Sequence, residues 1–206
     1  YDNDGFLDLF VPRGTRGCSL HRNVAGQTFT NATASAGLVM TVNGRLWQGA
    51  WGDYDNDGYL DLFALIYQGT NALFHNNGDG TFTGVNAGSP LTDGSRDALA
   101  GWADYDNDGF LDLFIACGNG QAEKNLLYHN NGNRNGWLKV KLVGLASNRS
   151  GIGAKVRVQA TINGKTVWQM REIASSGLGA PDGGNGLLAH FGLGDATNVD
   201  LVRIEW

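Results

Sequence analysis

Asp104-Tyr105-Asp106-Asn107-Asp108-Gly109-Phe110-Leu111-Asp112 decides how this chain is read, because the chain writes it nearly three times. Asp53 to Asp61 repeats it with Tyr59 in place of Phe110, and Tyr1 to Asp8 is the same text without its leading aspartate. Carboxylates at alternate positions, a glycine at position 6 and a further carboxylate at position 9 make a set of hard oxygen donors. Calcium takes about six to eight oxygens, and loops of this kind offer them from positions 1, 3 and 5 and from the backbone carbonyl at 7. The glycine permits the sharp turn that gathers them. The candidate ligands are therefore the carboxylates of Asp53, Asp55, Asp57 and Asp61 with the carbonyl of Tyr59. Asp104, Asp106, Asp108 and Asp112 with the carbonyl of Phe110 repeat the set, and Asp2, Asp4 and Asp8 with the carbonyl of Phe6 remain in the shortened copy.

A solvated acidic turn is the simpler alternative, since Asp-Gly alone would serve for that. Four carboxylates crowded into one short loop repel one another unless a cation neutralises them, which favours Ca2+. An EF-hand would require a bidentate glutamate at position 12 and flanking helices. Position 12 is Ala64 or Ile115, inside strand-like text, so that reading is excluded. Magnesium, which prefers octahedral sites that retain waters, fits less well.

The loops define a period. Asp104 lies 51 residues after Asp53, and Asp55 lies 53 after Asp2. Leu20-His21-Arg22-Asn23, Phe74-His75-Asn76-Asn77 and Tyr128-His129-Asn130-Asn131 read as a second landmark, with His21, His75 and His129 in equivalent places. Repetition argues against catalysis, for which one residue suffices, and the histidines read as packed or hydrogen-bonded strand residues. Within a unit, Trp47 to Gly52, Leu60 to Tyr67, Asn71 to His75 and Thr81 to Val85 read as strands, with Asn77-Gly78-Asp79-Gly80 as a hairpin turn. Four short antiparallel strands per unit suit a propeller blade. Propellers close with about 4 to 8 blades, so about three blades imply an incomplete ring and a fragment of a longer chain.

After Asn131 the acidic loop does not recur and the text alternates. Leu138, Val140 and Leu142 oppose Lys139 and Lys141, while Val156 and Val158 oppose Arg157 and Gln159. Asn163-Gly164 is a two-residue hairpin turn, Val167 to Ile173 its return strand, and Leu187 to Phe191 and Val199 to Trp206 add two more. The expected organisation is all-β: residues 1–133 as repeats, and residues 134–206 as a small antiparallel domain with one solvated face, clipped at its C-terminus.

Composition narrows the rest. The chain has 206 residues, 17% charged, with 32 glycines, and a net charge of −5 that argues against a nucleic-acid partner. No apolar run reaches membrane-spanning length, and the text contains no basic-then-apolar leader; since it begins inside a motif, its natural N-terminus is expected elsewhere. Cys18 and Cys117 occupy non-equivalent places; two packed thiols are the simpler reading, a disulfide the alternative. Trp51 and Trp102 read as core. No nucleophile elbow, phosphate loop or unrepeated acid–base cluster appears.

Residues Trp51 to Phe63 together with Asn76-Asn77-Gly78-Asp79-Gly80-Thr81-Phe82 resemble the FG-GAP/VCBS repeats, whose best-known relative is the integrin α-chain propeller. Gly136-Trp137-Leu138-Lys139-Val140, Ser147 to Ala154 and His190-Phe191-Gly192-Leu193-Gly194 resemble the ASPIC/UnbV domain. The resemblance implies a secreted or cell-surface protein, calcium in the repeat loops and a role of adhesion type towards a protein or glycan ligand. An accessory scaffold or glycan-binding part of a polysaccharide-active enzyme is the alternative.

Overall fold

The computed structural model describes residues 1–92, 97–118, 124–146, 148–174 and 187–206, so Ser147 of the quoted motif lies outside the described residues. Among the described residues the architecture is all-β, in five antiparallel sheets with one short helical turn. Strands β1 (Leu9–Pro12), β2 (Cys18–Val24) and β3 (Thr28–Asn31) form the first sheet. Next come β4 (Arg45–Gly52), β5 (Asp61–Tyr67), β6 (Ala72–Asn76) and β7 (Phe82–Val85), a four-stranded meander, and then α1 (Ser89–Thr92). Strands β8 (Asp97–Ala103), β9 (Asp112–Cys117) and β10 (Leu126–Tyr128) make the third.

The apolar run of β5 shows why the sheets stack. All six residues from Asp61 to Ile66 are buried. Because side chains alternate across a strand, Leu62, Ala64 and Ile66 face a core shared with Leu20, Leu38 and Leu46, while Phe63 and Leu65 face another shared with Ala100, Trp102 and Ile115. A strand covered on both faces needs no polar side, and each large apolar residue it buries contributes about 1.5–3 kcal/mol. Gly49 and Gly52 make room for the aromatics, since a side-chain carbon there would run into the rings of Phe10 and Trp102. Gln48 spans to the third sheet, donating to the Ala100 carbonyl at 3.0 Å and accepting its N–H at 2.8 Å. Cys18 and Cys117 are not joined by a disulfide, and burial pushes the Cys18 thiol up to about 11.

The C-terminal text makes two small antiparallel sheets. Strand β11 (Gly136–Lys141) pairs with β14 (Leu188–Gly194), and β12 (Lys155–Ile162) lies between β13 (Lys165–Glu172) and β15 (Leu201–Glu205). Val156, Val158, Ala160 and Ile162 of β12 meet Ala189, Phe191 and Leu193 of β14 in one core. Asn163 and Gly164, at φ of 49° and 73°, form the tight turn between β12 and β13. The inward register of β13 is only partly apolar: after Val167 it carries Gln169 and Arg171, both buried, which tie the two sheets together. Gln169 donates to the Gly192 carbonyl at 2.6 Å, and Arg171 Nε donates to the His190 carbonyl at 3.1 Å.

Candidate metal centre

The three acidic loops share one backbone. Position 4 is left-handed in each, with φ of 57°, 59° and 63° at Asn3, Asn56 and Asn107, and the position-6 glycines Gly5, Gly58 and Gly109 take φ of 90°, 96° and 94°. Asparagine tolerates the left-handed region and glycine adopts it freely, so the Asn-Asp-Gly text suits this geometry. The position-3 and position-5 carboxylates cap the turn: Asp55 accepts from Asp57 N–H and Asp57 from Tyr59 N–H. Asp106 and Asp108 cap it in the third loop, as Asp2 and Asp4 do in the first. Tyr59, Phe110 and Phe6 thus all stand at position 7 with their N–H groups held by the loop.

The position-9 aspartate is the clasp. Asp61, fully buried, accepts from Tyr54 N–H at 3.1 Å and from Asn76 N–H at 2.8 Å. Asp112 accepts from Tyr105 N–H at 3.2 Å and Asn130 N–H at 2.8 Å. Asp8 accepts from the Tyr1 amine at 2.7 Å and Asn23 N–H at 2.8 Å. Successive loops are also latched together by asparagines. Asn3 and Asn56 donate to the carbonyls of Gly58 and Gly109, while Asn76 and Asn130 donate to those of Tyr1 and Tyr54.

These contacts correct the register of the second landmark. Asn23, Asn76 and Asn130 are the equivalent residues, so the residue before each is Arg22, His75 or His129, and His21 stands one place early. Strand pairing agrees: Leu9 faces His21, whereas Leu62 faces Phe74 and Leu113 faces Tyr128. The equivalent basic residues all reach the loop carboxylates. Arg22 Nε lies 2.6 Å from Asp2 Oδ2. His75 Nδ1 is 3.2 Å from Asp61 and 3.3 Å from Asp55, aligned for a hydrogen bond to neither. His129 Nδ1 is 3.2 Å from Asp112. Counting 14 residues from the position-9 aspartate, rather than matching the letter His, finds Arg22 and His75.

One ligand atom each from Asp53, Asp55 and Asp61 lie within 4.8 Å of one another, as do those of Asp104, Asp106 and Asp108. Asp55 and Asp57 also gather with His75, and Asp106 and Asp112 with His129. Burial, then the neighbouring aspartates, raises the carboxyl of Asp53 well above its usual range and that of Asp57 to about 7. Asp61 is raised to about 6, mainly by burial, and closeness to its carboxylate lifts His75 to about 9. In cation-free protein, raised carboxyls keep protons that the unfolded chain has released, so stability falls as pH rises towards 7. His75 contributes stability present below its unfolded value of 6.5 and lost through about 9, the same direction. His190, lowered by burial to about 4, acts oppositely but only below 6.5. Thermal melts in EGTA should therefore fall from pH 6.5 to pH 9; a melting temperature that climbs with pH contradicts this.

The C-terminal sheets close over these loops through the His190-Phe191-Gly192-Leu193-Gly194 strand. Gly192 N–H donates to Asp53 Oδ2 at 3.1 Å, and Gly194 N–H to the Asn56 carbonyl at 2.7 Å. His190 Nε2 meets the Gly109 carbonyl at 3.0 Å, and Lys139 of β11 reaches Asp104. Trp137 lies where any side chain on Gly109 would go. No helix in the described structure is long and apolar enough to cross a membrane.

A family model described as FG-GAP-like repeat matches residues 1–64 and 53–115, and one described as ASPIC and UnbV matches residues 144–206. Cartilage acidic protein 1 of Homo sapiens is 30% identical over 213 residues, covering 96% of this chain and 29% of that protein. The Mus musculus protein of that name is 30% identical over 169 residues, covering 75% and 24%, and the Xenopus tropicalis one 27% over 213 residues, covering 96% and 29%. The chain therefore spans less than a third of the length of these relatives.

Proposed function

We propose, for a chain that belongs to the FG-GAP-like repeat family and carries an ASPIC and UnbV domain after its repeats, a non-enzymatic role as a calcium-stabilised module of an extracellular protein. Residues 1–133 act as blades of an incomplete propeller and residues 134–206 as a domain seated on their loops. The observation that carries this reading is the three-fold recurrence of one loop backbone, with the carboxylates of its two complete copies converging. Every candidate donor but the histidines is oxygen, as a hard dication requires. Asp104 Oδ1, buried and without a hydrogen-bond partner, is an acceptor that a cation would satisfy. The ion's part is structural: it neutralises a loop that cannot build a core of its own.

Extracellular calcium modules bind with Kd of about 10⁻⁴ to 10⁻³ M. At about 1 mM calcium each filled loop then adds roughly 0.4 to 1.4 kcal/mol. For a chain of this length that is about 1 to 6 °C in melting temperature per loop. Differential scanning calorimetry in calcium and in EGTA tests this, and identical melts in the two would remove the reading.

A glycan-binding role, alone or beside a polysaccharide-active enzyme, is favoured by one observation. A groove of about 460 Å³ between the first loop and β13, β12 and β15 is lined by Trp168, Phe6, Arg157 and Arg203. An aromatic platform beside guanidinium donors suits a sugar ring. A glycan array with and without calcium distinguishes this from a protein ligand.

A further inference from the structure

We propose that Lys139 is the resident counter-ion of the third acidic loop, so that the second loop takes a divalent cation in preference and the third takes one only as Lys139 withdraws. This rests on the calcium reading of the loops and adds a ranking among them. The two complete loops carry the same carboxylates on the same backbone, yet the C-terminal sheets treat their position-1 aspartates differently. At the second loop, Asp53 Oδ2 receives backbone N–H groups, Gly58 at 3.0 Å and Gly192 at 3.1 Å. Neither carries a net charge. At the third loop, Asp104 Oδ2 receives Gly109 N–H at 2.7 Å and the ammonium of Lys139.

Lys139 is placed there rather than straying there. It faces His190 across the β11–β14 pair, and His190 is itself held on the Gly109 carbonyl of that loop. Its ammonium lies 5.3 Å from the centroid of the Trp137 ring, whose face also favours a cation, and the side chain is only 16% exposed. Trp137 in turn occupies the space beside Gly109. The second loop has its positive field from further off: Arg171 influences Asp53 while bonding the carbonyls of His190 and Met170 and the amide oxygen of Gln169. The first loop follows the third, with Arg22 on Asp2 and Asp4. Side chains of fixed charge thus contact the carboxylates of the outer two loops, whereas those of the middle loop contact His75, with Arg171 acting on Asp53 from its bonds elsewhere.

A fixed monovalent charge on a carboxylate opposes entry of a second cation at the same cluster, because like charges a few ångströms apart in a poorly solvated site are weakly screened. Removing the ammonium while keeping the apolar stem should therefore open the third loop. Asp104 Oδ1, buried and without a hydrogen-bond partner, stands as acceptor capacity for an incoming ion.

The test is a calcium titration of the whole chain followed by the amide resonances of Gly58 and Gly109, one reporter in each complete loop. In the wild-type protein Gly58 should titrate at calcium concentrations at least tenfold lower than Gly109. In Lys139→Met the Gly109 midpoint should fall at least tenfold while Gly58 keeps its own, and Lys139→Arg should behave as wild type. Gly109 titrating together with Gly58 in the wild-type protein overturns the proposal, and that arm needs no variant to fold. An unchanged or weakened third loop in Lys139→Met also overturns it, assigning Lys139 a positioning role instead. Calcium that moves neither reporter removes the calcium reading itself, a result distinct from either.

Discussion

Asp61→Ala is expected to lower the unfolding free energy by about 2–6 kcal/mol, read as a shift of the urea midpoint. The carboxylate is fully buried, and its two oxygens accept from Tyr54 N–H and Asn76 N–H. Alanine leaves both donors without a partner, and a buried unsatisfied N–H costs about 1–3 kcal/mol. Two elements separate together, because Tyr54 opens the acidic loop and Asn76 closes β6. Asp112→Ala should behave alike, having the same arrangement around Tyr105 and Asn130. Asp79→Ala is the contrast: Asp79 accepts from Thr81 N–H and Oγ1 in an exposed turn, where water replaces what is lost. Equal losses at Asp61 and Asp79 would show that the clasp carries no special weight.

The second large effect is expected at Gly192. A side-chain carbon there would stand 2.5 Å from the Asn56 backbone and closer still to Asp53 Oδ2, and backbone cannot swing aside as a flexible side chain can. Gly192→Val should lift the His190–Gly194 strand off the loops at a cost of about 3 kcal/mol or more, since overpacking costs about 1–3 even where neighbours can yield. The Gly192–Asp53 and Gly194–Asn56 bonds are lost with it. Hydrogen exchange at Gly194 should accelerate by at least about a hundredfold, following from that free energy. Gly84→Ala, which meets open space in β7, should leave exchange at Gly194 as it was. Protection at Gly194 that survives Gly192→Val would mean that the sheets are held to the repeats elsewhere.

The repeats were legible because their loops must meet the same local demand each time, and the sequence answers with the same residues. The strand pattern of the second unit follows for a similar reason, since β5 is apolar throughout and both its faces are covered. At His21 a matching letter is a false anchor for the landmark register. The true anchor is a backbone N–H, that of Asn23, Asn76 or Asn130, meeting the position-9 aspartate, and a backbone group leaves no mark in composition. The seating of the C-terminal sheets was hidden for the same reason. It is made by the N–H groups of Gly192 and Gly194 and by a lysine 35 residues beyond its aspartate. The strand expected over Leu187 to Phe191 stops short of both glycines, whereas β14 continues to Gly194. Gln169 and Arg171, polar in an inward register, were the one local sign that this face meets polar backbone.

The asparagine latches carry a consequence for how such a chain can grow. Each joins the asparagine of one loop to the glycine carbonyl of the next, or one unit's strand end to the carbonyl at position 2 of the loop before it. Both halves of every latch are therefore written in the text that all units share. A unit copied in tandem arrives already able to grip the neighbour on either side, so duplication lengthens the array without a new interface having to be found. The constraint falls on the last unit, whose outward loop must meet something other than a repeat, and in this protein His190 on the Gly109 carbonyl and Lys139 on Asp104 are what it meets.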